Sequence, residues 1–480
     1  MTSSNYQINL VDLDSTYIPG NDPNYVGIQL AVTNRKTVIF GQQLLTQTYP
    51  IGNINNAINY SQTIPTTIID QDSTTITGVG PTSVFYKARQ TGQSLIRANF
   101  ALAENYPQTN DWLVGLTSRS TPVQVGTSSN WVSVGAGFYS TGAIQKPNNS
   151  SLWTWGANSF GQLGVNTTLN YSSPVQVIAN YGNWSQIVTA YSHTLAIQSN
   201  GTLWAWGSNA FGQLGNNTSG SPTNQSYATQ IGSLSTWIQA SASNNVTFAL
   251  QSNGTLWACG YNTQGQLGTN NTSNLSNLTQ IPGVWRQVSC GYQYTVAIQS
   301  NGTLWAWGQN NVGQLGQGNT TNRSSPVQIG VVSTWSTVSA GTFQVAAIQS
   351  NGTLFTWGGG FLGQLGINSQ TNVSNPIQVG SSSTWTQVSC GYSTMAVQTP
   401  GTLWAWGANS FGQLGQGNQT HYSSPVQVGA LSTWTKISSG IYCSTGILSN
   451  GTLYTWGRNI NGELGLNPSG IPVNKLTYGL

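Results

Sequence analysis

The chain has 480 residues, 38% of them hydrophobic and 10% aromatic, so a large core can form. Only 4% are charged, against roughly 25% in ordinary globular proteins. No apolar run approaches the ~20 residues that span a bilayer, and a net charge of +4 over this length is too dilute for a phosphate-binding footprint. Neither membrane insertion nor nucleic-acid binding is expected.

Residues 1–111 differ from the rest. They hold seven of the eight carboxylates, Asp12, Asp14, Asp22, Asp70, Asp72, Glu104 and Asp111, and five of the twelve Lys and Arg. Residues 112–480 carry seven basic residues and one acid, Glu463. The first ten residues lack the basic and apolar regions of a signal peptide. Segments 25–33, 37–45 and 66–76 read as strands. Segment 94–106 reads as a helix with Leu95, Ile96, Phe100 and Ala103 on one face, and 106–110 as a linker. A small β-rich or α+β domain over 1–111 is expected, with an anchoring or docking role. Asp12 with Asp14, and Asp70 with Asp72, offer oxygen ligands, but neither pair has the Gly and downstream Glu of a calcium loop. They read as solvated turns. No His/Cys cluster suggests zinc, and no metal or cofactor is expected.

From residue 112 onward the chain repeats itself. Leu-aromatic-x-Trp-Gly recurs with its Gly at Gly156, Gly207, Gly260, Gly308, Gly358, Gly407 and Gly457, with Cys259 replacing one Trp. Each copy is followed by Gly-Gln-Leu-Gly, as at Gly161 to Gly164; the last reads Gly462-Glu463-Leu464-Gly465. A polar stretch, a short strand such as Pro326-Val327-Gln328-Ile329 and a Trp complete the unit. Those Trp are Trp131, Trp184, Trp237, Trp285, Trp335, Trp385 and Trp434. Each unit reads as four short strands, the last two joined by an Asn-Gly turn in which both residues tolerate positive φ. In Leu304-Trp305-Ala306-Trp307 the Trp residues share one face and Leu and Ala the other, so both faces are apolar. Sheets covered on both sides by identical neighbours are propeller blades. The predicted fold is all-β: a seven-bladed β-propeller over 112–480. An eighth copy of the first strand occurs near Pro472, and segment 471–476 is expected to complete a blade with residues from 113–146. Cys259, Cys290, Cys390 and Cys443 form no CxxC pair and read as free, buried thiols, which suits a reducing cytoplasm.

The phrase Val-Ser-x-Gly, Ala-Ile-Gln-Ser-Asn-Gly-Thr-Leu-Trp-Ala-Trp-Gly and Gly-Gln-Leu-Gly resembles the regulator of chromosome condensation (RCC1) repeat. The resemblance covers roughly residues 113–480 and implies that family's seven-bladed propeller. The family includes a nucleotide exchange factor with acidic surface groups and an inserted wedge. This propeller has one carboxylate, and the family's repeat His is matched only at His193, so exchange activity is not expected. A bacterial β-lactamase inhibitor protein resembles the same fold and binds through aromatic residues on one face. The Asn- and Thr-rich, charge-poor repeats resemble those of bacterial surface and bacteriophage structural proteins.

Glu463, His193 and His421 are the propeller's acids and imidazoles, too few and too far apart for hydrolytic catalysis. No catalytic residue is expected. His193 reads as an intrablade hydrogen-bonding residue, and Gly358-Gly359-Gly360 as a repeat loop rather than a phosphate cradle. The binding candidates are Phe138, Tyr139, Tyr191, Tyr292, Tyr294, Phe343, Tyr392 and Tyr442. They precede the third strand of each unit and should gather at one end of the ring, where aromatic rings stack on sugars or anchor a protein partner. The expected function is a non-enzymatic virion component, a bacteriophage tail, fibre or capsid-surface protein in a multi-copy assembly. Residues 1–111 would contact other virion proteins, and the propeller loops a host-surface protein or glycan. The alternative is a cytoplasmic RCC1-like adaptor that binds a protein partner.

Overall fold

The computed structural model describes residues 118–146, 150–177 and 182–466, together with the backbone of Ser3–Leu10, Val32–Thr33, Thr37–Val38, Pro65–Ile69, Thr75–Val79, Ser94–Ala101 and Pro472–Val473. The chain divides into two units, Met1–Thr117 with Leu476–Leu480, and Ser118–Lys475.

In the first unit Ser3–Leu10, Ser94–Ala101, Pro65–Ile69 and Thr75–Val79 form one antiparallel sheet in that order. The helix expected over 94–106 is instead the strand Ser94–Ala101, in register with Ser3–Leu10 from Ser94↔Leu10 to Ala101↔Ser3. Ile96, Ala98 and Phe100 fit a period of two, while Leu95, Ile96 and Phe100 fit the helical one, and a partner strand decides between such readings. The single strand expected over 66–76 is a hairpin of Pro65–Ile69 and Thr75–Val79. Asp70-Gln71-Asp72-Ser73 between them has turn composition. The Asp12, Asp14, Asp70 and Asp72 readings, and the linker at 106–110, lie outside the described residues.

The second unit is a seven-bladed propeller. In blade one the strands run from the inside outward as Trp131–Ala136, Ser140–Gln145, Ser151–Gly156 and Asn170–Gln176. The other blades begin at Trp184, Trp237, Trp285, Trp335, Trp385 and Trp434, and the inner strands pack side by side around the axis. A blade is therefore offset by one strand from the unit read in the sequence. The Pro-Val-Gln strand, expected to open a unit, is the outer strand of the preceding blade: Arg323–Gln328 pairs with Leu304–Gly308. The Gly-Gln-Leu-Gly loop turns the chain back onto the strand it has just left.

This offset decides how the ring closes. Arg119–Gln124 pairs with Leu453–Gly457 and is the outer strand of blade seven. The expectation that 471–476 completes a blade with residues from 113–146 is corrected in part: Pro472–Val473 does join the sheet of Trp131–Ala136 and Ser140–Gln145, but as a fifth strand on its outer edge, paired with Tyr171 and Asn170, and it does not close the ring. Val125, next to Arg119–Gln124, is 2% exposed within the core shared by blades seven and one, an apolar anchor that ties the first candidate into the ring.

Each of the seven blade interfaces holds one apolar core. Between blades four and five, Leu304 and Ala306 meet Trp335, Val338 and Trp357. Trp305 and Trp307 face the other way, toward Phe248 and Leu256 of blade three. The two-faced strand thus serves two interfaces. Polar groups tie the same interfaces. In blades two, three and four the Gln two residues after the inner Trp clasps the next blade as a β-ladder would: Ala240 N–H donates to Gln186 Oε1 at 2.8 Å, and Gln186 Nε2 donates to Ala240 O at 3.2 Å. Each outer Trp indole donates to the loop of the preceding blade, as Trp206 Nε1 does to Gln162 O at 2.9 Å. Cys259, in place of a Trp, keeps a 3.7 Å contact from Sγ to Gln213 O.

The Asn-Gly turns work differently from expectation. Gly201 adopts φ +81°, but Asn200 does not enter the left-handed region. Its side chain accepts from Thr202 N–H at 3.1 Å and Thr202 Oγ1 at 2.8 Å. A Cβ on Gly201 would also stand 2.2 Å from Ser235 O, so the turn needs Asn for its oxygen and Gly for its conformation and closeness.

Candidate functional site

The loop after each inner strand begins six residues past the Trp, at Gly137, Ala190, Ser243, Gly291, Gly341, Gly391 and Gly440. These positions form a tight iris around the axis. A Cβ on Gly341 would lie 2.6 Å from Gly391 O, one on Gly391 1.8 Å from Gly440 O, and one on Gly440 2.3 Å from Gly137 O. The carbonyl of the next blade occupies the place of a side chain, which is why glycine recurs there. The residues that follow are thereby aimed over the mouth of the central channel.

Seven of the eight aromatic candidates meet there. Phe138 of blade one lies 5.0 Å from Tyr191 and 6.4 Å from Tyr292 of blade four, so it reaches across the mouth. Tyr139 contacts Tyr191 at 5.7 Å and stacks on Tyr442 at 6.0 Å. Tyr392 links Tyr442, at 5.8 Å, to Phe343, at 6.1 Å. All seven are half-buried. Blade three breaks the set with Asn244 and Asn245. Burial first, and the neighbouring phenols second, raise the Tyr191, Tyr392 and Tyr442 hydroxyls above their usual range, so these groups stay neutral donors at physiological pH.

Tyr294 is the exception. It is 1% exposed, and its hydroxyl lies 2.6 Å from Gln344 O and 3.0 Å from Gly341 O. It opens the second strand of blade four, one position class with His193 and Gln344. Each of these reaches the next blade: His193 Nε2 pairs with Thr247 Oγ1 at 3.0 Å, and Gln344 Nε2 donates to Gly391 O at 3.1 Å. Tyr294 is a tether between blades, not a surface aromatic, and the intrablade role expected for His193 is likewise corrected to an interblade one. His421 lies in the loop of blade six, accepting from Asn409 N–H at 2.8 Å, so the structure does not unite it with His193.

Burial lowers the His193 pKa to about 3. Below pH 6.5 the unfolded chain binds a proton at this residue that the native state refuses, so stability falls as pH drops toward 3. The loss is about 1.4 kcal/mol per pH unit across that window. His193→Gln, which copies Gln344, is expected to remove this slope. Comparing denaturant unfolding of the two proteins at pH 7 and pH 4 checks it. The raised pKa of buried Glu463 acts with the opposite sign, and the difference between the two proteins cancels it.

Sequence reading missed three groups at the mouth. Phe361 lies 5.3 Å from Phe343, Phe411 5.3 Å from Tyr442, and the Arg458 guanidinium 5.0 Å from the centre of Tyr139. All three come from the loops after the third strands, a different part of the repeat that converges on the same face. It also missed the buried Asn two residues after the repeated Trp-Gly. Asn310 Oδ1 accepts from Leu315 N–H at 2.8 Å and Nδ2 donates to Asn319 O at 3.0 Å. Its recurrence in six of seven repeats was the available signal; Gly360 stands there in blade five, where a Cβ would lie 2.0 Å from Thr371 O. Beneath the mouth the channel holds a cavity of about 210 Å³ lined by Ser241, Ser289, Ser339, Ser389 and Ser438 among others. Their hydroxyls accept N–H groups of the next blade, as Ser339 Oγ does from Cys390 at 3.0 Å. The four cysteines are free and buried, and burial pushes each thiol up to about 12. None is a nucleophile at neutral pH.

Seven four-stranded blades closed into a ring, with aromatic residues gathered on one face, define a propeller scaffold. The model of the RCC1-like domain matches residues 228–477, and the RCC1 repeat matches 149–197 and 200–250. The chain belongs to the RCC1-like family. It is 30% identical over 141 residues to the probable E3 ubiquitin-protein ligase HERC6 of Homo sapiens, a stretch that is 28% of this chain and 14% of that protein. It thus spans a small part of that relative. The human WBSCR16 structure superposes with a TM-score of 0.61 at 19% identity, covering 71% of this chain and 89% of that one. Yeast RCC1 (Prp20), solved bound to Kap60, gives 0.60 at 18% identity, covering 78% and 88%. These structures share the fold. The RCC1-like part of the alternative is what these matches share; the virion reading, drawn from the style of the repeats, gains no support from them.

Proposed function

We propose that the chain is a non-enzymatic RCC1-like adaptor that captures a protein partner on the aromatic face of its propeller. The convergence of aromatic residues from six blades on one half-buried patch carries this reading. Tyr and Phe supply large contact area at little conformational cost, and such residues dominate binding energy at protein interfaces. Yeast RCC1 (Prp20), solved with Kap60 bound, supports it as a protein of this fold found in complex with another protein. The four unpaired thiols suit a reducing compartment such as the cytoplasm.

The test is affinity capture with the intact chain and with a Tyr139→Ala/Tyr392→Ala variant, quantified by mass spectrometry. Partners held by this face should be depleted at least ~30-fold from the variant, the effect of a hot spot near 2 kcal/mol. Equal capture by both proteins, with unchanged circular dichroism, would reject the aromatic face as the binding surface.

A further inference from the structure

Two positions of blade seven carry residues that no other blade has there, and they lie side by side. The residue after the repeated Trp-Gly is Ala157, Ser208, Tyr261, Gln309, Gly359 or Ala408 in the other blades and Arg458 in this one. The residue after the next Gly is Gln in six blades and Glu463 here. Arg458 Nε stands 3.8 Å from Glu463 Oε1. Glu463 still does the work of the repeat Gln. Its Oε2 accepts from Asn461 N–H at 2.8 Å, as Gln413 Oε1 does from Phe411 N–H at 2.9 Å. The change from Gln to Glu therefore adds a counter-charge for Arg458 and leaves the loop in place.

The guanidinium lies between Tyr139, Tyr442 and Phe411, at 5.0, 5.1 and 5.8 Å from the ring centres. Aromatic faces hold and desolvate a cation but offer its N–H groups no in-plane acceptor. The Arg458 Nε is buried without a hydrogen-bond partner, and the side chain retains 15% of its exposure at the mouth. Guanidinium donors are suited to carboxylate oxygens, which they bind by charge-assisted pairs. Among the described residues of the propeller the one carboxylate is Glu463, itself 1% exposed, so the surface offers an acid no repulsion.

We infer that Arg458 makes the aromatic mouth an acid-reading site, whose partner is a protein segment that pairs an Asp or Glu with an aromatic side chain. The inference rests on the adaptor reading above. Nucleic acid fits less well, because one cation at the mouth cannot neutralise successive phosphates.

The experiment uses the intact chain and three fluorescein-labelled probes, a peptide of alternating Glu and Tyr, its Gln and Tyr counterpart, and oligo-dT, followed by fluorescence anisotropy. The Glu peptide should bind about tenfold more tightly than the Gln peptide, the scale of one charged hydrogen bond, and the advantage should shrink with added salt. The double variant R458Q/E463Q places Gln at both positions, the combination that Gln309 and Gln314 already provide in blade four. It should bind both peptides alike, while Arg458→Lys keeps part of the preference. An undiminished preference in R458Q/E463Q, no preference in the unaltered chain, or tighter binding of oligo-dT than of the Glu peptide overturns the inference. Loss of both peptides in Tyr139→Ala/Tyr392→Ala, with neither affected by R458Q/E463Q, overturns acid reading and leaves the adaptor reading standing.

Discussion

Deleting residues 1–125 is expected to open the propeller, whereas deleting 1–117 leaves it closed. Arg119–Gln124 supplies the outer edge of blade seven, and Val125 N–H donates to Leu453 O at 2.9 Å. Its removal bares the edge of Leu453–Gly457 and strips Val125 from a core that also holds Trp131, Ala143, Trp155, Ile447 and Leu453. Burying Val125 contributes about 1.5–3 kcal/mol, and each ladder hydrogen bond about 0.5–1.5 kcal/mol. Together these approach the 5–15 kcal/mol by which domains are stable at all. The exposed edge also invites intermolecular pairing. Size-exclusion chromatography should show aggregate for the chain lacking 1–125 and a single species for the chain lacking 1–117. Deleting 467–480 should cost about 1 kcal/mol or less, since among the described residues it removes two paired ones, Pro472–Val473, outside a finished blade. A collapse on that deletion, with tolerance of the first, would make the C-terminal strand the true closure.

Trp206→Ala is expected to lower stability by about 3–5 kcal/mol, the range for emptying a buried Trp site. Trp206 has no exposed surface and fills the interface of blades one and two beside Ile144, Trp184 and Ala196. Gly164 is shaped to it: a Cβ there would stand 2.8 Å from the indole nitrogen, and the residue adopts φ +71°. The lost indole hydrogen bond is the smaller part, because Thr194 Oγ1 still donates to Gln162 O at 2.7 Å. Trp206→Phe should therefore cost much less than Trp206→Ala. Denaturant midpoints of both variants test this order; equal losses would mean that the hydrogen bond, not the filled volume, holds the blades together.

The repeat made the architecture legible. Seven copies of the Trp-Gly and Gly-Gln-Leu-Gly phrases, one with Cys259 for Trp and one with Glu463 for Gln, set the blade number, and Leu304-Trp305-Ala306-Trp307 showed sheets covered on both faces. Side-chain alternation in strands is a local property, so it can be read from four residues. Composition likewise placed the cysteines as free thiols. The aromatic mouth was half legible. Loop position predicted that Phe138, Tyr139, Tyr191, Tyr292, Phe343, Tyr392 and Tyr442 share an end of the ring, but Tyr294, two residues past Tyr292, is pulled into the core by the carbonyls of blade five.

Other features were settled only by what each segment met in space. Segment 94–106 has a pattern that serves helix or strand, and Ser94–Ala101 is a strand because Ser3–Leu10 lies beside it. Two segments had the sequence to close the ring, and the one whose flanking Val125 enters the last core took the place. Phe361, Phe411 and Arg458 joined the mouth from loops remote in the repeat. A chain specifies its own turns and its alternating faces through neighbouring residues. Which edge, pocket or charge a residue serves depends on groups tens to hundreds of positions away, and for this protein that includes Arg458 and its one buried acid.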